Sequence, residues 1–150
     1  MIKAVLIFNN QGKPRLMNWY QQMDVSRQQS LLKEVHRLIH KRPDTMCNFL
    51  QGGALIGEDA RIIYRHYATL YFVFIADASE SELGILDLIQ VFVEALDRTF
   101  VNVCELDLIF RPEDVSQILA EIISGGLVLE TNIHEIMTTS HLRKSSATHR

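Results

Sequence analysis

With 150 residues, 47% of them hydrophobic and 22% charged, the chain has room for one domain with a sizeable core and little space for a second. A formal net charge of −3 without a block of like charges excludes a general nucleic-acid binder, which needs a basic face. No apolar run approaches the ~18 residues of a spanning helix, and polar NNQGK rather than a cleavage site follows the short IKAVLIF stretch, so no secretory signal is read.

Met1 to Phe8 is apolar and β-branched, a strand pattern, and Asn9 to Pro14 is turn chemistry that predicts a hairpin into Arg15 to Tyr20. Leu31, Leu32, Val35, Leu38 and Ile39 form one apolar stripe, which predicts a helix over Ser26 to Arg42. Ser26 with Gln29 reads as its capping box and Pro43 as its stop. A short strand at Met46 to Leu50, a glycine-bearing loop at Gln51 to Asp59, and strands at Arg61 to His66 and Leu70 to Ala76 follow. The last of these, LYFVFIA, does not alternate. A continuous apolar strand needs cover on both faces and belongs in the middle of a sheet. Short links between strands favour antiparallel pairing.

Leu83 to Phe100 predicts a second helix. Its polar residues Gly84, Asp87, Gln90, Glu94 and Asp97 fill a stripe of roughly 140°, leaving an apolar arc of about 220° where one core needs little more than ~100°. The excess must meet other helices of the chain, or a partner. Val103 to Phe110 alternates and reads as extended. Pro112 opens a third helix with Val115, Ile118, Leu119 and Ile122 on its stripe and Gly125-Gly126 at its end. Asn132 and Glu135 cap a short last helix through Met137, before a basic tail from His141 to Arg150. The order β-β-α-β-β-β followed by helices is that of an α+β domain.

Candidate chemistry is thin. Asp77, Glu80 and Glu82 stand with Ser79 and Ser81 where the central strand ends, but no GxSxG elbow or nearby histidine accompanies them. Ser79 or Ser81 as an N-cap with acids in the first helical turn explains the stretch without catalysis. The run GGALIG is followed by Glu58-Asp59, which would repel a phosphate. His36 and His40 are four apart without a zinc signature and read as a solvated helix face; no metal or cofactor site is read. Cys47 and Cys104, with no CxxC, read as free, packed thiols in a reducing intracellular compartment. Tyr64, Arg65, His66 and Tyr67 read as packing, and Arg15 becomes interesting only beside an apolar groove.

The stretches MIKAVLIFNNQGKPRL, NFLQGG, IIYRHYATLYFVFIAD, ELGILDLIQVFVEALDRTFVNVCELDLIF and GGLVLETN together resemble the small (sigma) subunits of heterotetrameric vesicle adaptor complexes, over residues 1 to 138. NFLQGGALIG and SELGILDLIQVFVEALD are most similar to the sigma subunit of adaptor protein complex 3. Residues 139 to 150 are read as a separate tail. The resemblance implies a longin-like fold, a five-stranded antiparallel sheet with helices on both faces, and no enzyme activity. It implies a delta-type large adaptin as direct partner, with a beta-type large adaptin and a mu-type medium subunit in the same complex. The expected location is cytoplasmic, peripheral on Golgi and endosomal membranes, in transport to lysosome or vacuole.

The resemblance also implies a site for acidic dileucine signals, [D/E]xxxL[L/I], in the cytosolic tails of membrane cargo. The matching positions are Ala68, Leu70, Phe72, Val93, Asn102, Leu106 and Leu108, with Asn102 anchoring peptide backbone and Arg15 attracting the acid. Thr69 stands where some relatives have glycine. The alternative is a purely structural subunit without cargo contact.

Overall fold

A computed structural model describes residues 1–42, 49–51 and 57–128. Strands β1 (Ile2–Asn9) and β2 (Pro14–Trp19) precede helix α1 (Val25–His40); β3 (Phe49–Gln51), β4 (Arg61–Tyr67) and β5 (Leu70–Ala76) follow. Helices α2 (Glu82–Phe100), α3 (Glu105–Phe110) and α4 (Pro112–Ile122) come next, with a small hairpin of β6 (Ile123–Ser124) and β7 (Leu127–Val128). The main sheet is five-stranded and antiparallel, in the order β2-β1-β5-β4-β3. This is the expected α+β architecture, and β5 is its central strand.

The apolar runs of β1 and β5 are explained by cover on both sides. Ala4, Leu6, Phe8, Val73 and Ile75 pack under Leu32, Val35 and Ile39 of α1. Val5, Ile7, Leu70, Phe72 and Phe74 face the opposite way, into a cluster with α2 and α4. That cluster also resolves the wide apolar arc of α2. Ile85, Leu88, Ile89, Phe92, Val93, Ala95 and Leu96 are all buried, and Val115, Ile118, Leu119 and Ile122 of α4 complete the cover. Leu83, at 68% exposure, is the arc's one fully exposed residue. Apolar surface is left elsewhere, on Val101, Leu106, Ile109 and Phe110.

Four expectations are corrected. Helix α1 is capped by Asp24, whose carboxylate accepts from the Arg27 amide at 2.7 Å; Ser26 lies inside the helix, its carbonyl accepting from the Ser30 hydroxyl. A carboxylate two residues earlier is an equally good acceptor and starts the helix sooner. Glu105 to Phe110 is helical, not extended, because Asp107 accepts from the Cys104 amide at 2.9 Å and closes a first turn. Cys104 is consequently exposed at that N-cap instead of packed, while Cys47 lies outside the described residues. Gly125-Gly126 make the turn of the β6–β7 hairpin, since α4 ends at Ile122.

The carboxylates after β5 are all engaged structurally. Ser81 caps α2 by accepting from the Gly84 amide, Asp77 and Glu80 pair with the Met1 ammonium at 2.8 and 2.9 Å, and Glu82 pairs with Arg61 at 3.4 Å. His36 packs edge-on to Phe8 at 5.5 Å and His66 stacks on Tyr71 at 4.3 Å. Among the described residues no group of three or more His, Cys, Asp or Glu side chains could hold a metal ion, and no helix is long and apolar enough to cross a membrane. Pro43, most of the glycine loop, the helix expected at Asn132 to Met137 and the tail lie outside the described residues.

Candidate functional site

Arg15 is placed by the turn that precedes it. Asn9, 8% exposed, accepts the Gln11 and Lys13 amides on its side-chain oxygen, both at 2.9 Å, and the turn closes through Gly12 at φ +85°. The β1–β2 register then shifts between Ile7 and Phe8, which face Leu16 and Pro14, so Arg15 is the extra residue of a bulge. Bulges re-aim side chains. Here the guanidinium is carried toward α3, where Arg15 Nε donates to Glu105 Oε1 at 2.7 Å. The same oxygen accepts from Asn9 Nδ2 at 2.9 Å. Arg15 first, and Asn9 second, hold the Glu105 carboxyl below its ordinary range against the opposing effect of burial.

The helix that carries Glu105 also carries Leu106 and Leu108, and it divides them. Leu108 is 2% exposed and joins Leu70, Phe72 and Val93 in one apolar cluster; Leu106, on the same helix, is 59% exposed. Ala68 and Asn102 are exposed on flanking turns, both at positive φ. The eight positions expected from the resemblance therefore fall into three groups. Leu70, Phe72, Val93 and Leu108 are buried; Ala68, Asn102 and Leu106 are exposed; Arg15 pairs with Glu105 of α3. Val93 also borders a cavity of about 490 Å³ lined by Tyr64, Arg65, Tyr67, Tyr71 and Gln90 among others. Arg65 bonds to Gln90 across it.

One organising residue, Asp97, was seen in the sequence only as part of a polar stripe. Its carboxylate accepts from the Tyr67 hydroxyl at 2.7 Å and from the Val103 amide at 2.9 Å, tying the β4–β5 turn to the α2–α3 junction. Its carbonyl accepts from the Asn102 amide at 3.1 Å. The β4–β5 turn and the α2–α3 junction are thus tied together by one side chain. The junction leaves Val101 at φ +54°, where a β-branched side chain crowds its own backbone. Val101 is 80% exposed and loses little packing on truncation. Val101→Gly is expected to raise stability by about 1 kcal/mol, read as an upward shift of the thermal midpoint.

The sequence matches the clathrin adaptor complex small chain family over residues 1–147. The chain belongs to that family. It is 62% identical over 138 residues to AP-3 complex subunit sigma-2 of Homo sapiens, covering 91% of this chain and 72% of that one. It is 61% identical over 137 residues to the AP-3 complex subunit sigma of Schizosaccharomyces pombe, covering 91% and 82%. A chain in a homology model of the full-length AP-3 complex, in a stretched open conformation, superposes with a TM-score of 0.77 at 45% identity, covering 99% of this chain and 96% of that one. The family and fold expected from the sequence are borne out.

Proposed function

We propose that the chain is the sigma subunit of an AP-3-type adaptor acting in vesicle-mediated protein transport to the lysosome or vacuole, where it reads acidic dileucine signals together with a delta-type large adaptin. It has no catalytic role, and it reaches Golgi and endosomal membranes peripherally, from the cytoplasm, through the complex with its beta-type and mu-type chains. The observation that carries this reading is the construction of α3. One short helix presents the exposed Leu106, sends Leu108 into the apolar cluster and reaches Arg15 through Glu105. Two leucines of a peptide would settle among Leu70, Phe72, Val93 and Leu108, with the acid toward Arg15 and backbone against Asn102. The exposed Val101, Ile109 and Phe110 suit cover by a large partner chain.

Burying two leucines contributes roughly 3–6 kcal/mol. The peptide's lost freedom offsets part of this, so micromolar or weaker binding is expected. Weak single contacts suit a membrane, where several sites engage together.

Leu70 and Val93 are poor sites for a test, since each is almost wholly buried and a polar replacement would disturb the fold. Leu106, more than half exposed, is the better one. In the assembled complex, Leu106→Ser is expected to weaken a dileucine peptide about 5- to 10-fold while leaving assembly intact. Equal binding by the variant, and by a peptide with both leucines changed to alanine, would reject the site. The burial of Leu70, Phe72 and Leu108 at 0–2% exposure favours one other reading, a purely structural subunit, and that same result would select it.

A further inference from the structure

We infer that Glu105 is an internal competitor for the carboxylate that Arg15 receives, so that it limits how much the acidic residue of a signal contributes and leaves selection mainly to the leucines. This rests on the reading of the site given above and adds a specificity-determining residue to it.

Three observations carry it. Glu105 already engages the guanidinium that would receive an incoming acid, with its Oε1 accepting Arg15 Nε–H at 2.7 Å. The competitor is prearranged. Asn9 Nδ2 donates to the same oxygen at 2.9 Å, and Asn9 is itself fixed by the Gln11 and Lys13 amides. The pair remains reachable, because the side chains of Arg15 and Glu105 are 23% and 26% exposed. Among the described residues Arg15 has no other ion-pair partner.

The electrostatic consequence is direct. A guanidinium paired with a fixed carboxylate presents little net charge to a second one. A peptide acid must share the four remaining Nη hydrogens of Arg15 while repelled by Glu105 a few ångströms away. A half-buried pair near the surface contributes modestly by itself, but its charge acts on whatever docks beside it. Tethering supplies Glu105 at an effective concentration that no weakly bound peptide matches.

The test uses the assembled complex and two peptides that differ only in the signal's acid, Glu in one and Gln in the other. Glu105→Gln keeps the shape and the acceptor oxygen and removes the charge. It is expected to tighten the Glu peptide about 3- to 10-fold and leave the Gln peptide within about 2-fold. Glu105→Asp, which withdraws the carboxylate by one methylene, is expected to fall between wild type and Glu105→Gln. A merely structural role for Glu105 would shift both peptides together. Discrimination between the peptides that stays the same or falls in both variants overturns the inference and spares the site. Absence of leucine-dependent binding in the wild-type complex overturns the site reading itself.

Discussion

Phe92→Ala is expected to remove about 3–5 kcal/mol of folding free energy. Phe92 is fully buried on α2 and meets Phe72 edge-on at 6.1 Å and Phe74 at 6.2 Å, both on β5. It is the aromatic contact of the helix with the central strand, within a cluster that other buried α2 residues share. Truncation loses the transfer free energy of the ring and leaves a cavity that the sheet, held by ladders on both sides of β5, is poorly able to close. For a domain stable by about 5–15 kcal/mol this is a large fraction. The thermal midpoint should fall by roughly 10 °C, and Phe92→Leu, which leaves a smaller void, should lose roughly half as much. An unchanged urea midpoint for Phe92→Ala would mean that α2 does not pack on β5 as described.

The second large effect is a backbone one. Gly126 has φ +90°, and a methyl group there would stand 2.4 Å from the Ile2 carbonyl oxygen. The Ile2 amide also donates to the Gly126 carbonyl at 2.9 Å, so the β6–β7 turn is fastened to the start of β1. A backbone atom cannot rotate away as a side chain can. Gly126→Ala is expected to cost roughly 2–4 kcal/mol, combining a left-handed conformation with a forced separation of the hairpin from β1. Gly125 is the control: φ +56°, with nothing within 4 Å of its added carbon. Gly125→Ala should cost only about 1–2 kcal/mol. Comparable losses at both positions, by denaturant unfolding, would remove the docking of the hairpin as the cause.

The parts of this fold legible in the sequence are those set by local periodicity. β5 runs over Leu70–Ala76 as its apolar pattern predicts, and the cap at Ser81 fixes the start of α2. Helix α3 is hidden because ELDL, Glu105 to Leu108, alternates over a stretch too short for a period of 3.6 to separate from one of 2; what decides the matter is the Asp107 carboxylate on the Cys104 amide. The resemblance named the candidate positions, yet which of them are buried depends on packing between β5, α2 and α3. The meeting of Arg15 with Glu105, 90 residues apart, depends on a bulge that no composition of PRLMNW announces. Asp97 was visible only as one polar residue among several, because its two acceptors serve groups brought close by the tertiary fold.

The most direct measurement is photocrosslinking in the assembled complex, using an acidic dileucine peptide with a diazirine analogue at the first leucine. Adducts on Leu106 of α3 and on Val93 or its neighbours in α2, suppressed by excess unlabelled peptide, are the predicted outcome. Competable adducts confined to other subunits, with α2 and α3 unlabelled, would contradict it.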